Sequence, residues 1–162
     1  MRAQRSGVVA NFSSLVGWIG MASVGAYCAS KWAVSGLSET LYTELADFNI
    51  KVCVVEPGYF RSNFLNTGNR LVKKNLIADY NEGTAVRKGE HILEVFDNKQ
   101  LGDIKKGVKV LADVLTGATG KEVPMRLILG SDAYGLIKQK CEDTLKGLEE
   151  WKELTCSTDH DS

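Results

Sequence analysis

The run IKVCVV at residues 50–55 constrains this chain most. It is β-branched and almost wholly apolar, with none of the in–out alternation of a strand that has one wet face. Such a run is expected where a parallel strand is covered on both sides. A second short apolar strand, GVVANF, stands at 7–12. Between the two, Ala26, Ala29, Ala33, Leu37, Leu41 and Leu45 recur at three- and four-residue intervals, which predicts a helix from Gly25 or Ala26 to about Phe48. Strand, long helix, strand makes a right-handed crossover between parallel neighbours the natural connection. Further on, helices are expected over 84–97 and 103–116, the latter with Asp103 near its start and Gly117 at its stop. A last strand is expected over Val123–Leu129. A helix over 133–153 follows, with Ser131 or Asp132 as its N-cap. The fold class is therefore α/β, with three parallel strands and their helices.

Composition narrows the function. The chain has 162 residues, 44% hydrophobic and 25% charged, enough for one domain with a substantial core. Twenty basic and twenty acidic residues cancel, with no long run of either sign, so a nucleic-acid partner is not expected. Four cysteines, at 28, 53, 141 and 156, and histidines at 91 and 160 show neither zinc nor disulfide spacing. Cys28 and Cys53 fall within the predicted helix and strand and read as buried thiols. Free thiols and the lack of a signal-like N-terminus or a membrane-length apolar run point to a cytoplasmic protein without a membrane span.

The chemistry lies in the first predicted helix. Tyr27 and Lys31 are one turn apart on one face, so the ammonium can draw the phenol towards the range of a useful proton donor. The spacing alone is weak: five Tyr and fourteen Lys in a chain of this length supply about 0.4 chance matches. Tyr134 and Lys138 form a second match, but no strand ending in hydroxyl residues precedes them, and Tyr134 reads as a packing or surface residue. Ahead of Tyr27 stand Ser13 and Ser14, adjacent hydroxyls at a strand end.

Three stretches, GVVANFSS at 7–14, GAYCASKWAVSGLSETLYTELADFNIKVCVVEPG at 25–58 and YFRS at 59–62, resemble the catalytic core of the short-chain dehydrogenase/reductase family in its usual order. The resemblance implies a Rossmann-like doubly wound sheet and an NAD(P)-dependent oxidoreductase that interconverts an alcohol and a ketone or aldehyde. It implies Tyr27 as acid/base, Lys31 tuning it and holding the nicotinamide ribose, and Ser14 polarising the substrate oxygen. Ser13, on the opposite side of the strand, is left as a backbone-bonding residue. Pro57 and Gly58 resemble the family's turn beneath the nicotinamide, with Ser62 where many members have a carboxamide-binding Thr. Residues 59–82 fall where the family places its substrate-covering segment, and Tyr59, Phe60, Phe64, Leu65 and Leu71 read either as a substrate lid or as a cap on the core.

The Gly-rich turn that would hold a cofactor pyrophosphate does not occur before Ser6, so the resemblance is to the family's C-terminal half. Residues 1–155 are expected to be that part of the domain and 156–162 a polar tail. The expectation is a truncated chain: a fragment, a degenerate paralogue, or a short form completed by association. A homo-oligomer with a small-molecule substrate is expected. The alternative is a catalytically silent interaction module built on helix 26–48.

Overall fold

The structure, a computed structural model, describes residues 1–69, 75 and 77–160. Leu71, grouped above with the covering residues, lies outside these, as do the last two residues of the tail. Three parallel strands form one sheet in the order β1 (Gly7–Phe12), β2 (Ile50–Pro57), β3 (Arg126–Leu129). Gly7 to Phe12 pair with Ile50 to Val55, and Val54 to Pro57 pair with Arg126 to Leu129. The central strand is the interior: Val52, Cys53, Val54, Val55 and Glu56 are all buried, as the apolar run requires. β3 starts three residues later than its apolar run suggests. Pro124 has no N–H to give a ladder, and the pairing is joined only from Met125, whose carbonyl accepts from Val54 N–H.

Helix α1 (Gly25–Ala46) connects β1 to β2 and packs on β2. Its buried face is not its apolar stripe. Cys28, Ser35 and Ser38 are buried, whereas Ala26, Ala29, Ala33 and Leu37 are exposed. The reason is hydrogen bonding. Ser38 donates to the Val34 carbonyl and accepts from Asn11 of β1, and Ser35 bonds Ser13 and Glu56, so small hydroxyls bring the helix close to the sheet with their polarity satisfied.

The connection from β2 to β3 carries α2 (Ala85–Val95) and α3 (Ile104–Leu115). Thr84 caps α2 at Arg87 N–H, and Asp103 caps α3 at the N–H groups of Lys105 and Lys106. α3 ends ahead of Gly117, whose φ of +77° is the left-handed turn that favours glycine. After β3, Gly130 stands at the cap of α4 (Ser131–Glu150) with φ +107°. Neither Ser131 nor Asp132 caps it. Both lie inside its first turn, and Asp132 is occupied elsewhere, as described below. The expected single last helix breaks at Trp151, and a short α5 (Lys152–Cys156) follows.

Candidate active site

The three strands end side by side, at Phe12, Pro57 and Leu129, on the edge where open α/β sheets bind ligands. A cavity of about 480 Å³ opens there. Its wall is mostly apolar, and its polar members include Ser14, Tyr27, Ser62 and Gln100.

β1 runs into a tight turn that separates the two serines. Ser13 N–H continues the ladder by donating to the Val55 carbonyl, and its hydroxyl donates to the Lys31 carbonyl and bonds Ser35. It is buried and backbone-bonded, as read from sequence. A Cβ on Gly17 would lie 2.5 Å from the Ser13 hydroxyl and 2.7 Å from that of Ser35, so this close approach requires glycine. Ser14 points the other way: its hydroxyl accepts from Val16 N–H, and it lines the cavity. Tyr27, in the first turns of α1, faces the same cavity, with its ring 5.9 Å from that of Phe64.

The electrostatics of Tyr27 depart from the sequence expectation. Burial raises the phenol above its ordinary value of 10, the hydrogen bond with Ser14 pulls it down, and Cys28 pushes it up. The Lys31 ammonium donates to the Phe12 carbonyl at 3.0 Å and sits 5.7 Å from the centre of the Tyr27 ring. Lys31 is therefore beside the phenol, but it is engaged with backbone and ring face rather than with the hydroxyl. The pull that offsets burial comes from Ser14.

The opposite wall begins at Pro57 and Gly58. Gly58 N–H donates to the Leu129 carbonyl at 2.8 Å, and Tyr59 N–H donates to Asp132 Oδ2 at 2.7 Å. The carboxylate of Asp132 lies so close over Gly58 that a Cβ there would collide with it. This ties the exit of β2 to the start of α4. Ser62 caps a short turn by accepting from Phe64 N–H and also lines the cavity. Tyr59, Phe60, Phe64 and Leu65 all contribute to its wall, with Leu65 buried and Phe64 exposed.

Beneath the site is a polar network that sequence reasoning missed. Glu56, fully buried, accepts from Trp18 Nε1 at 2.7 Å, from Ser35 at 3.1 Å and from Arg126, which also pairs with Glu39. The Arg126 guanidinium lies 4.2 Å from the Trp18 ring centre. Burial pushes the Glu56 carboxyl up, against the pull of Trp18, Arg126 and Ser35. It also helps hold the Cys53 thiol up at about 11, a shift caused mainly by burial. An acid closing a buried strand was the available signal, since it must find a partner. Gln100 gave no such signal.

Known proteins place this frame. The family profile described as short chain dehydrogenase matches residues 1–71. The oxidoreductase BOA17 of Botryotinia fuckeliana is 30% identical over 159 residues, covering 98% of this chain and 55% of that protein. The crystal structure of a short-chain dehydrogenase from Streptomyces avermitilis superposes with a TM-score of 0.80 at 32% identity, covering 99% of this chain and 55% of that one. A short chain dehydrogenase/reductase from Burkholderia phymatum, solved in complex with NAD, shares the fold with a TM-score of 0.62 at 19% identity. The molecule is a partial Rossmann-like α/β sheet with a cavity at its strand ends. The chain belongs to the short-chain dehydrogenase/reductase family. It spans about half the length of the relatives it matches. Among the described residues, no helix is long and apolar enough to cross a membrane.

Proposed function

We propose that this chain carries the catalytic part of an NAD- or NADP-dependent oxidoreductase that interconverts an alcohol and a ketone or aldehyde, with residues 1–155 as the domain portion. The observation that carries the reading is the meeting of Ser14 and Tyr27 at the wall of one apolar cavity beyond the parallel strand ends. In this reading Tyr27 gives its phenolic proton to the substrate oxygen in the reducing direction and takes it back in the other. Ser14 donates a hydrogen bond to that oxygen as it gains negative charge. The apolar wall excludes water, which strengthens both interactions.

The residues fit the nicotinamide end of the cofactor. Pro57, Gly58 and Ser62 line the cavity beside Tyr27, with the Asp132 carboxylate leaving no room for a side chain at Gly58, and Lys31 stands over the phenol ring with donors to spare for ribose hydroxyls. When bound, the nicotinamide supplies or accepts the hydride. Holding it, orienting the substrate oxygen and handling the proton fall to the side chains named above.

The test is Tyr27→Phe in the natural protein that contains this chain. It should lower turnover by about 10²–10⁴-fold while leaving cofactor binding intact, and Tyr134→Phe should be silent. Retention of more than about a tenth of the turnover would remove Tyr27 from the acid/base role. A second reading, an interaction module or homo-oligomer built on α1, is favoured by one observation: Trp32, Leu37 and Tyr42 on that helix are exposed.

A further inference from the structure

Gln100 is the least explained group in the molecule. It lies between α2 and α3, is 1% exposed, and lines the same cavity as Ser14 and Tyr27. Neither its amide nitrogen nor its amide oxygen has a hydrogen-bond partner among the described residues. Two unpaired polar atoms at such burial are costly, and native folds seldom leave them so without a use.

Its backbone, by contrast, is firmly held. Arg61 donates to the Gln100 carbonyl from Nε at 3.2 Å and from Nη2 at 3.1 Å. On either side of that grip, Gly102 N–H donates to the Tyr59 carbonyl at 3.0 Å and Arg61 N–H to the Gly102 carbonyl at 2.9 Å. The segment leaving β2 and the segment carrying Gln100 are thus laced together. The lacing fixes the backbone of Gln100, a residue of the cavity wall. Arg61 itself does not line the cavity, and no charged side chain does so among the described residues.

We propose that Gln100 is a specificity-determining residue that hydrogen-bonds a second, neutral oxygen function on an otherwise apolar substrate whose reactive oxygen meets Ser14 and Tyr27. A carboxamide both donates and accepts, so it suits a hydroxyl or a carbonyl. A carboxamide carries no charge to balance a buried carboxylate or phosphate, so the group it meets is a neutral one. The substrate class is therefore a neutral, largely apolar alcohol or ketone bearing one further hydroxyl or carbonyl. This rests on the reading of the cavity as the substrate site.

The experiment uses this chain and two probes: tetralone, and hydroxytetralone with its hydroxyl on the far ring. Binding is followed by NMR titration, with the Gln100 side-chain NH₂ signals identified by their loss in Gln100→Leu. Hydroxytetralone should bind about tenfold more tightly than tetralone and move those signals. Gln100→Leu should erase the preference, keep the tetralone affinity, and leave the melting temperature equal or higher, since it removes unpaired buried atoms at similar volume. Gln100→Met serves the same purpose should the Leu variant fail to fold. A fall in melting temperature in both variants would overturn the proposal, because the amide would then be supporting the fold. So would equal binding of the two ketones with no effect of either variant, which leaves the substrate-site reading standing. Failure of both ketones to bind would remove that reading as well as the proposal.

Discussion

Residues 7–57 and residues 59–115 both wall the cavity, and they are held by different physics. The first region is a strand, a helix and a strand closed around satisfied polar groups: Glu56, Ser13, Ser35 and Ser38 are all buried and all bonded. In the second, α2 and α3 contain no buried residue, and Ile92, Val95, Val108 and Val110 are exposed. Its specification is concentrated in a few contacts. Among the described residues these include the tie of Tyr59 N–H to Asp132, the lacing of residues 59–61 to 100–102 and the Phe60 ring, which packs against Gly102 and Gly107. The groups proposed for proton handling belong to the first region and Gln100 to the second. A frame that fixes reacting groups and a wall free to vary in substrate contacts are what such a division supplies.

The largest expected effect is therefore in the frame. Arg126→Ala removes the cation from fully buried Glu56 and leaves it with Trp18 and Ser35, which should cost about 3–5 kcal/mol in denaturant unfolding. A loss under about 1 kcal/mol would place this pair with ordinary surface bridges and dissolve the contrast.

Thiol chemistry tests the closure of the first region without mutation, with Cys156 of α5 as the exposed reference. With its thiol held up at about 11, Cys53 is about one part in a thousand thiolate at pH 8, and it is fully buried. Iodoacetamide at pH 8 should label exposed Cys156 readily and Cys53 only on unfolding. Labelling of Cys53 at a rate similar to Cys156 would mean that the centre of the sheet opens easily.

Smaller effects belong to the second region and should fall into two groups. A Cβ on Gly102 would meet the Tyr59 carbonyl at 2.8 Å and the Phe60 ring at 2.7 Å, so Gly102→Ala should lower stability by about 1–3 kcal/mol. Val110→Ser, on the exposed side of α3, should stay within about 0.5 kcal/mol. Similar costs for the two would show that this wall is specified throughout rather than at its lacing.

Sequence reading followed the frame well where periodicity and punctuation carry the information. The strands at 7–12 and 50–55, the cap at Asp103 and the stop at Gly117 all stand where apolar runs and turn residues put them. Ser13 is backbone-bonded as expected. The failures at polar residues share a cause: their role is set by a distant partner. The buried face of α1 is Cys28, Ser35 and Ser38, which hydrophobic periodicity discounts, because Ser35 and Ser38 are satisfied by Glu56 and Asn11. Asp132 looked like a helix cap and instead holds Tyr59 N–H across 73 positions of sequence. Arg126 is matched to Glu56 only through the pairing of β2 with β3. Gln100 carries no sequence signal, since what distinguishes it is the lack of a partner.

If Ser14 and Tyr27 act on one another at the cavity wall, a pH titration of the tyrosine rings by NMR should show it. The Tyr27 signal is identified by its absence in Tyr27→Phe. Its phenol should titrate above 10, because burial outweighs the Ser14 hydrogen bond. A phenol raised in the folded state contributes stability that is present below the ordinary value and lost as pH rises through the folded one. Ser14→Ala should move the midpoint higher still, since the group that favours the phenolate is gone. A midpoint at or below 10, or one that Ser14→Ala leaves unchanged, would contradict the pairing on which the proposed site is built.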